Sequence, residues 1–145
     1  MATLAVDKQR RLSFEQRTAS IELPIIADDI IFAGAYVGES SSAGTARPLQ
    51  GGDVFLGIAE EQCDNAGGAA AAKRVKLIAE GILHRVAVTG LSGGNADLGA
   101  AVYAADDDTL NTTASANTQI GKVDSYNADD GTYNIHFQAA ARRSI

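Results

Sequence analysis

The chain has 145 residues, of which 46% are hydrophobic, and its 12 Lys and Arg against 18 Asp and Glu give a net charge of −6. This length predicts one domain with a single core. The acidic excess argues against a nucleic-acid partner, because phosphate binding depends on Lys and Arg. The only cysteine, Cys63, excludes an intrachain disulfide and a cysteine-based metal site.

The composition predicts an all-β protein. The 15 Gly are spread along the chain, there is no Trp, and much of the hydrophobic content is Ala, a mixture typical of short strands joined by turns. The start lacks the apolar run of a signal peptide, and no window approaches the roughly 18 apolar residues of a membrane helix. We therefore expect a soluble protein made in the cytosol, with no membrane partner.

Residues 1–20 are predicted to form an extended N-terminal arm, and residues 21–145 a single β-rich domain. The arm carries four basic and two acidic residues, a balance of +2, which leaves −8 on the rest of the chain. A basic arm on an acidic body predicts contact with an acidic neighbour, and a solvated tail is the alternative. We expect the arm to be mobile until it orders on a partner. Its candidate partner-binding residues are Lys8, Arg10, Arg11, Leu12, Phe14 and Arg17.

The first half of the body predicts three strands. The segment Ile21–Ile26 alternates briefly, and Pro24 confines it to a sheet edge or an irregular strand. Residues 30–37 form the next strand, with a glycine at position 34 inside it. Residues 54–60 form the third, where Gly57 permits close approach by a neighbouring chain.

The densest apolar segment, Lys73–Val88, fits two patterns. As a strand it alternates up to Ala79 and resumes out of phase after Gly81, which would then be a bulge. As a helix it shows i, i+3, i+4 spacing, preceded by the helix-favouring run Ala69–Ala72. The strand is favoured, because Gly81 inside a helix would cost about 1 kcal/mol and residues 86–89 are rich in β-branched side chains.

The remaining segments predict further strands and one hairpin. Residues 65–72 are a low-complexity connection, and Leu98–Ala104 is predicted to be a strand. Gln119–Val123 and Thr132–Gln138 are predicted to pair across a turn in which Asp130-Gly131 supplies the positive φ of a tight hairpin.

The polar residues do not assemble into a catalytic set. His84 and His136 lack metal-binding spacing, and Cys63 has acidic neighbours that disfavour a thiolate. The carboxylate clusters at 106–108 and 129–130 could hold a hard cation, but neither matches a calcium loop, and solvated turns are the favoured interpretation. We expect no enzymatic activity, no cofactor and no metal.

The order of four sequence blocks carries a resemblance. Residues 51–59 read Gly-Gly-Asp-Val-Phe-Leu-Gly-Ile-Ala, and residues 75–83 read Val-Lys-Leu-Ile-Ala-Glu-Gly-Ile-Leu. Residues 96–110 read Ala-Asp-Leu-Gly-Ala-Ala-Val-Tyr-Ala-Ala-Asp-Asp-Asp-Thr-Leu, and residues 120–124 read Ile-Gly-Lys-Val-Asp. Over about residues 21–138, this order resembles the small capsid decoration, or cement, proteins of tailed bacteriophages.

The resemblance implies a β-sandwich or β-tulip domain that assembles as a trimer on the exterior of an expanded phage head. It implies the major capsid protein as partner, the arm laid on the shell, a location in the virion, and a strand at residues 75–83. The run Ala69–Ala72 lies outside the pattern, so a short helix there stays open. The alternatives are a head or tail fibre base protein, or a non-viral β-barrel carbohydrate-binding module, although such modules normally carry more Trp and Tyr.

Overall fold

The computed structural model describes residues 3–13, 20–39 and 44–140, and it confirms the predicted all-β class. Apart from a 3-10 helix at Asn95–Asp97, the regular structure of the described residues consists of strands. In chain order these are β1 Arg11–Ser13, β2 Ser20–Pro24, β3 Ile30–Ile31, β4 Tyr36–Glu39, β5 Arg47–Pro48, β6 Val54–Ala59, β7 Cys63–Asp64, β8 Arg74–Ile78, β9 Glu80–Val86, β10 Ala101–Ala104, β11 Leu110–Asn111, β12 Thr118–Asn127 and β13 Thr132–Gln138. Within the described ranges, no helix has the length and apolar character needed to cross a membrane.

The strands form two main antiparallel sheets and one small one. The six-stranded sheet has the order β1-β9-β13-β12-β10-β11, the five-stranded sheet β2-β8-β6-β4-β5, and β3 pairs with β7. Side chains from both large sheets fill the main core between them, as a sandwich requires. A second core covers the other face of the five-stranded sheet, so this sheet is buried on both faces. The six-stranded sheet keeps one face toward solvent.

The segment Lys73–Val88 is confirmed as strand, and it connects the two large sheets. β8 lies in the five-stranded sheet and β9 in the six-stranded sheet, with the fully buried Ala79 between them. Because the chain crosses from one sheet to the other at Ala79, the alternation of apolar and polar residues changes phase there. The predicted bulge at Gly81 is wrong, because Gly81 pairs in register with Phe137.

The bulge of β9 lies four residues further along, at Arg85. Leu83 pairs with Ile135 and Val86 with Tyr133, so β9 contains one more residue than β13 over this stretch. Arg85 has a φ of +55°, a conformation that costs a residue with a Cβ about 1–2 kcal/mol. The bulge residue is therefore an arginine, Arg85, and not the predicted glycine, Gly81.

The prediction of a single strand over residues 30–37 is wrong. This stretch contains β3 and the start of β4, which are separated by a turn. Gly34 has a φ of +84°, which favours glycine and interrupts the extended chain. A Cβ there would lie 2.1 Å from the carbonyl oxygen of Lys8. The turn therefore makes room for the N-terminal segment to pass over it.

Several local predictions are confirmed. β2, with Pro24 at its end, is an edge strand, and the β12–β13 hairpin turns through Gly131 at a φ of +72°. A Cβ on Gly57 would lie 2.6 Å from the carbonyl oxygen of Ile78 on β8, which is the close approach expected there. The run at 69–72 forms turns and no helix, and the strand expected over 98–104 begins only at Ala101.

Candidate binding surface

The N-terminal residues 3–13 pack against the body of the domain. The Lys8 backbone N–H donates to the Ala33 carbonyl oxygen at 2.7 Å, Leu4 is buried in the second core, and β1 pairs with β9. The expectation of a mobile arm is therefore wrong for residues 3–13. Phe14 and Arg17, which were predicted to bind the capsid, lie outside the described residues.

The carboxylate of Asp107 holds the beginning of this segment. Its Oδ1 accepts the backbone N–H groups of Thr3 at 2.7 Å and Leu4 at 3.1 Å. Asp107 is fully buried, and its Oδ2 has no hydrogen-bond partner among the described residues. Burial raises the pKa of Asp107, and the two N–H donors only partly oppose that shift. The prediction of a solvated turn is therefore wrong at position 107, because the N-terminal segment covers this residue.

The next carboxylate, Asp108, binds two of the predicted arm cations. Its Oδ1 accepts from Lys8 Nζ at 2.7 Å and from Arg10 Nη2 at 2.9 Å. Burial acts to raise the pKa of Asp108, but the hydrogen bonds and charges of Lys8 and Arg10 outweigh burial, and the pKa is lowered. The tract 106–108 is thus a docking site for the chain's own N-terminal segment.

Arg10 is the most tightly held cation of the segment. Its guanidinium lies 4.4 Å from the ring centroid of Tyr36 and also donates through Nε to the carbonyl oxygen of Gly34. Only 5% of its side chain is exposed. Burial raises the pKa of Tyr36 to about 12, although Arg10 opposes the shift. Tyr36 therefore presents a neutral ring to the cation.

β1 completes the arrangement by placing Arg11 next to β9. Arg11 is exposed and lies opposite His84 in the ladder, Ser13 Oγ is 2.8 Å from His84 Nε2, and Leu12 packs toward the main core. At the bulge, the Arg85 backbone N–H donates to Asn134 Oδ1 at 3.0 Å. We call the resulting surface the basic edge, and its residues are Lys8, Arg10, Arg11, His84 and Arg85.

The basic edge contains a notch of about 180 Å³. Three cations and a single carboxylate lie among its lining residues, which are Lys8, Arg10, Tyr36, Arg85, Val86, Ala87 and Asp108. Arg85 Nη1 also contacts the hairpin carboxylates of Asp129 at 3.2 Å and Asp130 at 2.8 Å. The sequence identified the cations at positions 8, 10 and 11 as candidates, but it did not identify Arg85. No local pattern predicts the bulge that places Arg85 near the N-terminal segment.

The other candidate residues lie apart from this surface. His136 is exposed on β13, with Nε2 3.6 Å from Glu80 Oε2. Cys63 is buried, and burial raises the pKa of its thiol. Across residues 3–13, 20–39 and 44–140, no group of three or more His, Cys, Asp or Glu side chains is placed to hold a metal ion.

Replacing Asp107 by Ala is expected to detach the N-terminal segment. The N–H groups of Thr3 and Leu4 would lose their acceptor, and an unpaired buried donor costs about 1–3 kcal/mol. Trypsin should then cleave after Lys8, Arg10 and Arg11 faster than in the wild type. The matched control is Asp124→Ala, which removes an exposed carboxylate from β12. Equal cleavage rates for Asp107→Ala and the wild type would contradict this role of Asp107.

The stabilising effect of Asp108 is expected to depend on pH. Since the folded pKa of Asp108 lies below its ordinary value of 3.8, the carboxylate stabilises the folded state at pH values above 3.8. That contribution is lost as the pH falls through the lowered folded pKa. The unfolding free energy of the wild type should therefore exceed that of Asp108→Asn at pH 7, and the difference should shrink at pH values below 3.8.

Asp107 supplies a comparison of opposite sign. Its folded pKa is raised above 3.8, so acidification from neutral pH lets the buried carboxyl take up a proton and favours the folded state. In Asp107→Asn this response should be missing. Denaturant titrations of both variants over the same pH range measure the two effects, and a parallel response would show that the assigned shifts are wrong.

Comparisons of the chain with protein-family models, with curated proteins and with solved structures give no match.

Proposed function

We propose that this chain is a structural virion protein that binds the outside of an expanded icosahedral phage head and stabilises it as a decoration protein. Its partner is the major capsid protein, and it acts by contact, without catalysis. The resemblance supports this proposal, because its four blocks coincide with strands of both large sheets. Residues 51–59 contain β6, residues 75–83 contain most of β8 and the start of β9, residues 96–110 contain β10, and residues 120–124 lie in β12.

The basic edge is the observation that carries the proposal. The arm cations were expected to attach the protein to an acidic shell. Two of them, Lys8 and Arg10, line a notch with Arg85, and Arg11 pairs with His84, in a chain whose net charge is −6. An acidic body is repelled by an acidic partner, so attachment requires a locally positive surface. The basic edge supplies that surface without an unfolded arm.

The stabilisation itself follows from linkage. A protein that binds only capsomers at their expanded spacing lowers the free energy of the expanded shell and no other state. Repetition over many sites multiplies a modest energy per site. We propose that the bound unit is a trimer, since closed cyclic assembly suits a three-fold position on the head.

Binding to purified heads that lack the protein tests the proposal. The chain should co-sediment saturably with expanded heads and not with unexpanded ones, and it should raise the temperature at which expanded heads rupture. Light scattering on the same preparations should give a trimer. Failure to bind expanded heads at micromolar concentration, or a monomer both in solution and on the head, would contradict the proposal.

A further inference from the structure

We propose that the notch of the basic edge is a binding site for a carboxylate, supplied by a Glu or Asp side chain of an acidic segment of the partner protein. Lys8, Arg10 and Arg85 line the notch against the single carboxylate of Asp108. Three cations and one anion line its walls, and the carboxylates of Asp129 and Asp130, which contact Arg85 at 3.2 and 2.8 Å, offset the remaining two positive charges. The notch is therefore a cluster of three cations on an acidic protein, and an incoming anion competes there with the carboxylates that pair with them.

Arg10 gives the site a fixed wall. Its Nε and Nη2 are bound to Gly34 and Asp108, and its planar face lies on the ring of Tyr36. Only 5% of its side chain is exposed. Because the guanidinium is already ordered, binding an anion there costs little side-chain conformational entropy. The remaining nitrogen, Nη1, has no partner among the described residues.

Lys8 and Arg85 give the site its exposed donors. Their side chains are 47% and 38% exposed. Arg85 contacts Asp129 and Asp130 through Nη1 alone, which leaves its Nε and Nη2 without a partner in the described part of the chain. Exposed ion pairs such as these contribute little to stability. An incoming carboxylate can therefore compete for Arg85, and a bidentate pair with a guanidinium is stronger than a single contact.

The size of the notch favours a side chain over a larger ligand. Its volume of about 180 Å³ is open to small groups such as a side-chain terminus. Val86 and Ala87 supply apolar wall, which suits the methylene groups that precede a Glu carboxylate. A carboxylate on a short aliphatic stem therefore matches both the charge and the lining of the notch.

The identity of the partner segment as part of the capsid rests on the proposed function, but the carboxylate site does not. The test therefore uses a probe that contains no capsid. The isotope-labelled full chain is titrated by NMR with a hexaglutamate peptide, and separately with hexaglutamine and with inorganic phosphate. The variants are Arg85→Gln and Lys8→Gln, with Lys76→Gln as a control that removes the same charge from the exposed side of β8.

Hexaglutamate should shift the amides of residues 8–11 and 84–87, while hexaglutamine should not. Losing one charge-assisted donor should weaken hexaglutamate binding about tenfold in Arg85→Gln and in Lys8→Gln, whereas Lys76→Gln should change it less than about twofold. Asp129→Asn should tighten binding, because it removes a competitor for Arg85. A site that prefers phosphate to hexaglutamate, or equal losses in Arg85→Gln and Lys76→Gln, would overturn the carboxylate assignment.

The two proposals can fail separately. If hexaglutamate binds the notch but expanded heads do not bind the chain, the carboxylate site stands and the decoration function is wrong. If heads bind the wild type and Arg85→Gln with equal affinity, the decoration function stands and the notch is not its contact.

Discussion

Replacing Phe137 by Ala is expected to lower the free energy of unfolding by about 3–5 kcal/mol. Phe137 is fully buried on β13, the strand between β9 and β12 in the six-stranded sheet. Its ring packs edge to face against Phe55 of the five-stranded sheet, with centroids 6.4 Å apart and an interplanar angle of 77°. The variant would leave a cavity where the two sheets meet. Urea denaturation monitored by circular dichroism measures the loss.

The control for this prediction is Phe137→Leu, which keeps most of the buried volume and should cost much less. If Phe137→Ala lost less than about 1 kcal/mol, far below the range for a buried aromatic residue, the two sheets would not share the tightly packed core described above.

Replacing Gly57 by Ala is expected to cost about 2–4 kcal/mol, the sum of overpacking and backbone strain. Gly57 has a φ of +144°, and an added Cβ would lie 2.6 Å from the carbonyl oxygen of Ile78. That oxygen belongs to the backbone of β8, so it cannot move without disturbing the pairing of β6 and β8. Thermal and urea unfolding of the variant give the size of the effect.

Gly52→Ala separates the two causes. Gly52 also has a positive φ, +92°, but a Cβ there would meet nothing within 4 Å. Its substitution should therefore show the backbone cost alone, about 1–2 kcal/mol. Equal losses in the two variants would mean that β6 and β8 do not approach each other as closely as described.

The sequence could predict what depends on neighbours along the chain. Alternation identified β6, β8 and β13, Pro24 marked an edge, and Asp130-Gly131 marked the hairpin. Each of these signals is complete within about ten residues. The strand assignment of Lys73–Val88 also followed from local costs, although the crossing between sheets at Ala79 did not.

The contacts that build the basic edge could not be predicted, because they join residues far apart in the chain. Thr3 and Asp107 are separated by 104 positions, and Lys8 and Asp108 by 100. Nothing in the Asp106-Asp107-Asp108 tract distinguishes a solvated turn from a buried docking site until the covering segment is known. Arg85 was missed for a similar reason, since an arginine at positive φ has no sequence signal of its own.

These contacts revise how the N-terminal segment would act. The expected arm was a free chain that orders on its partner, whereas the described residues 3–13 are already ordered on the body. Ordering before binding removes an entropic cost from attachment. The ion pairs of Lys8 and Arg10 with Asp108, and those of Arg85 with Asp129 and Asp130, leave the exposed Arg11 as the basic-edge arginine with the greatest freedom to meet an acidic partner.

Amide hydrogen exchange in the N-terminal segment tests the central claim most directly, because the basic edge exists only if residues 3–13 dock on the body. The Leu4 N–H is bound to Asp107 and the Lys8 N–H to the Ala33 carbonyl oxygen. NMR of the full chain should show both amides exchanging much more slowly than in an unstructured peptide of the same sequence. Exchange of both amides at the rate of that peptide would contradict the docked segment and, with it, the basic edge.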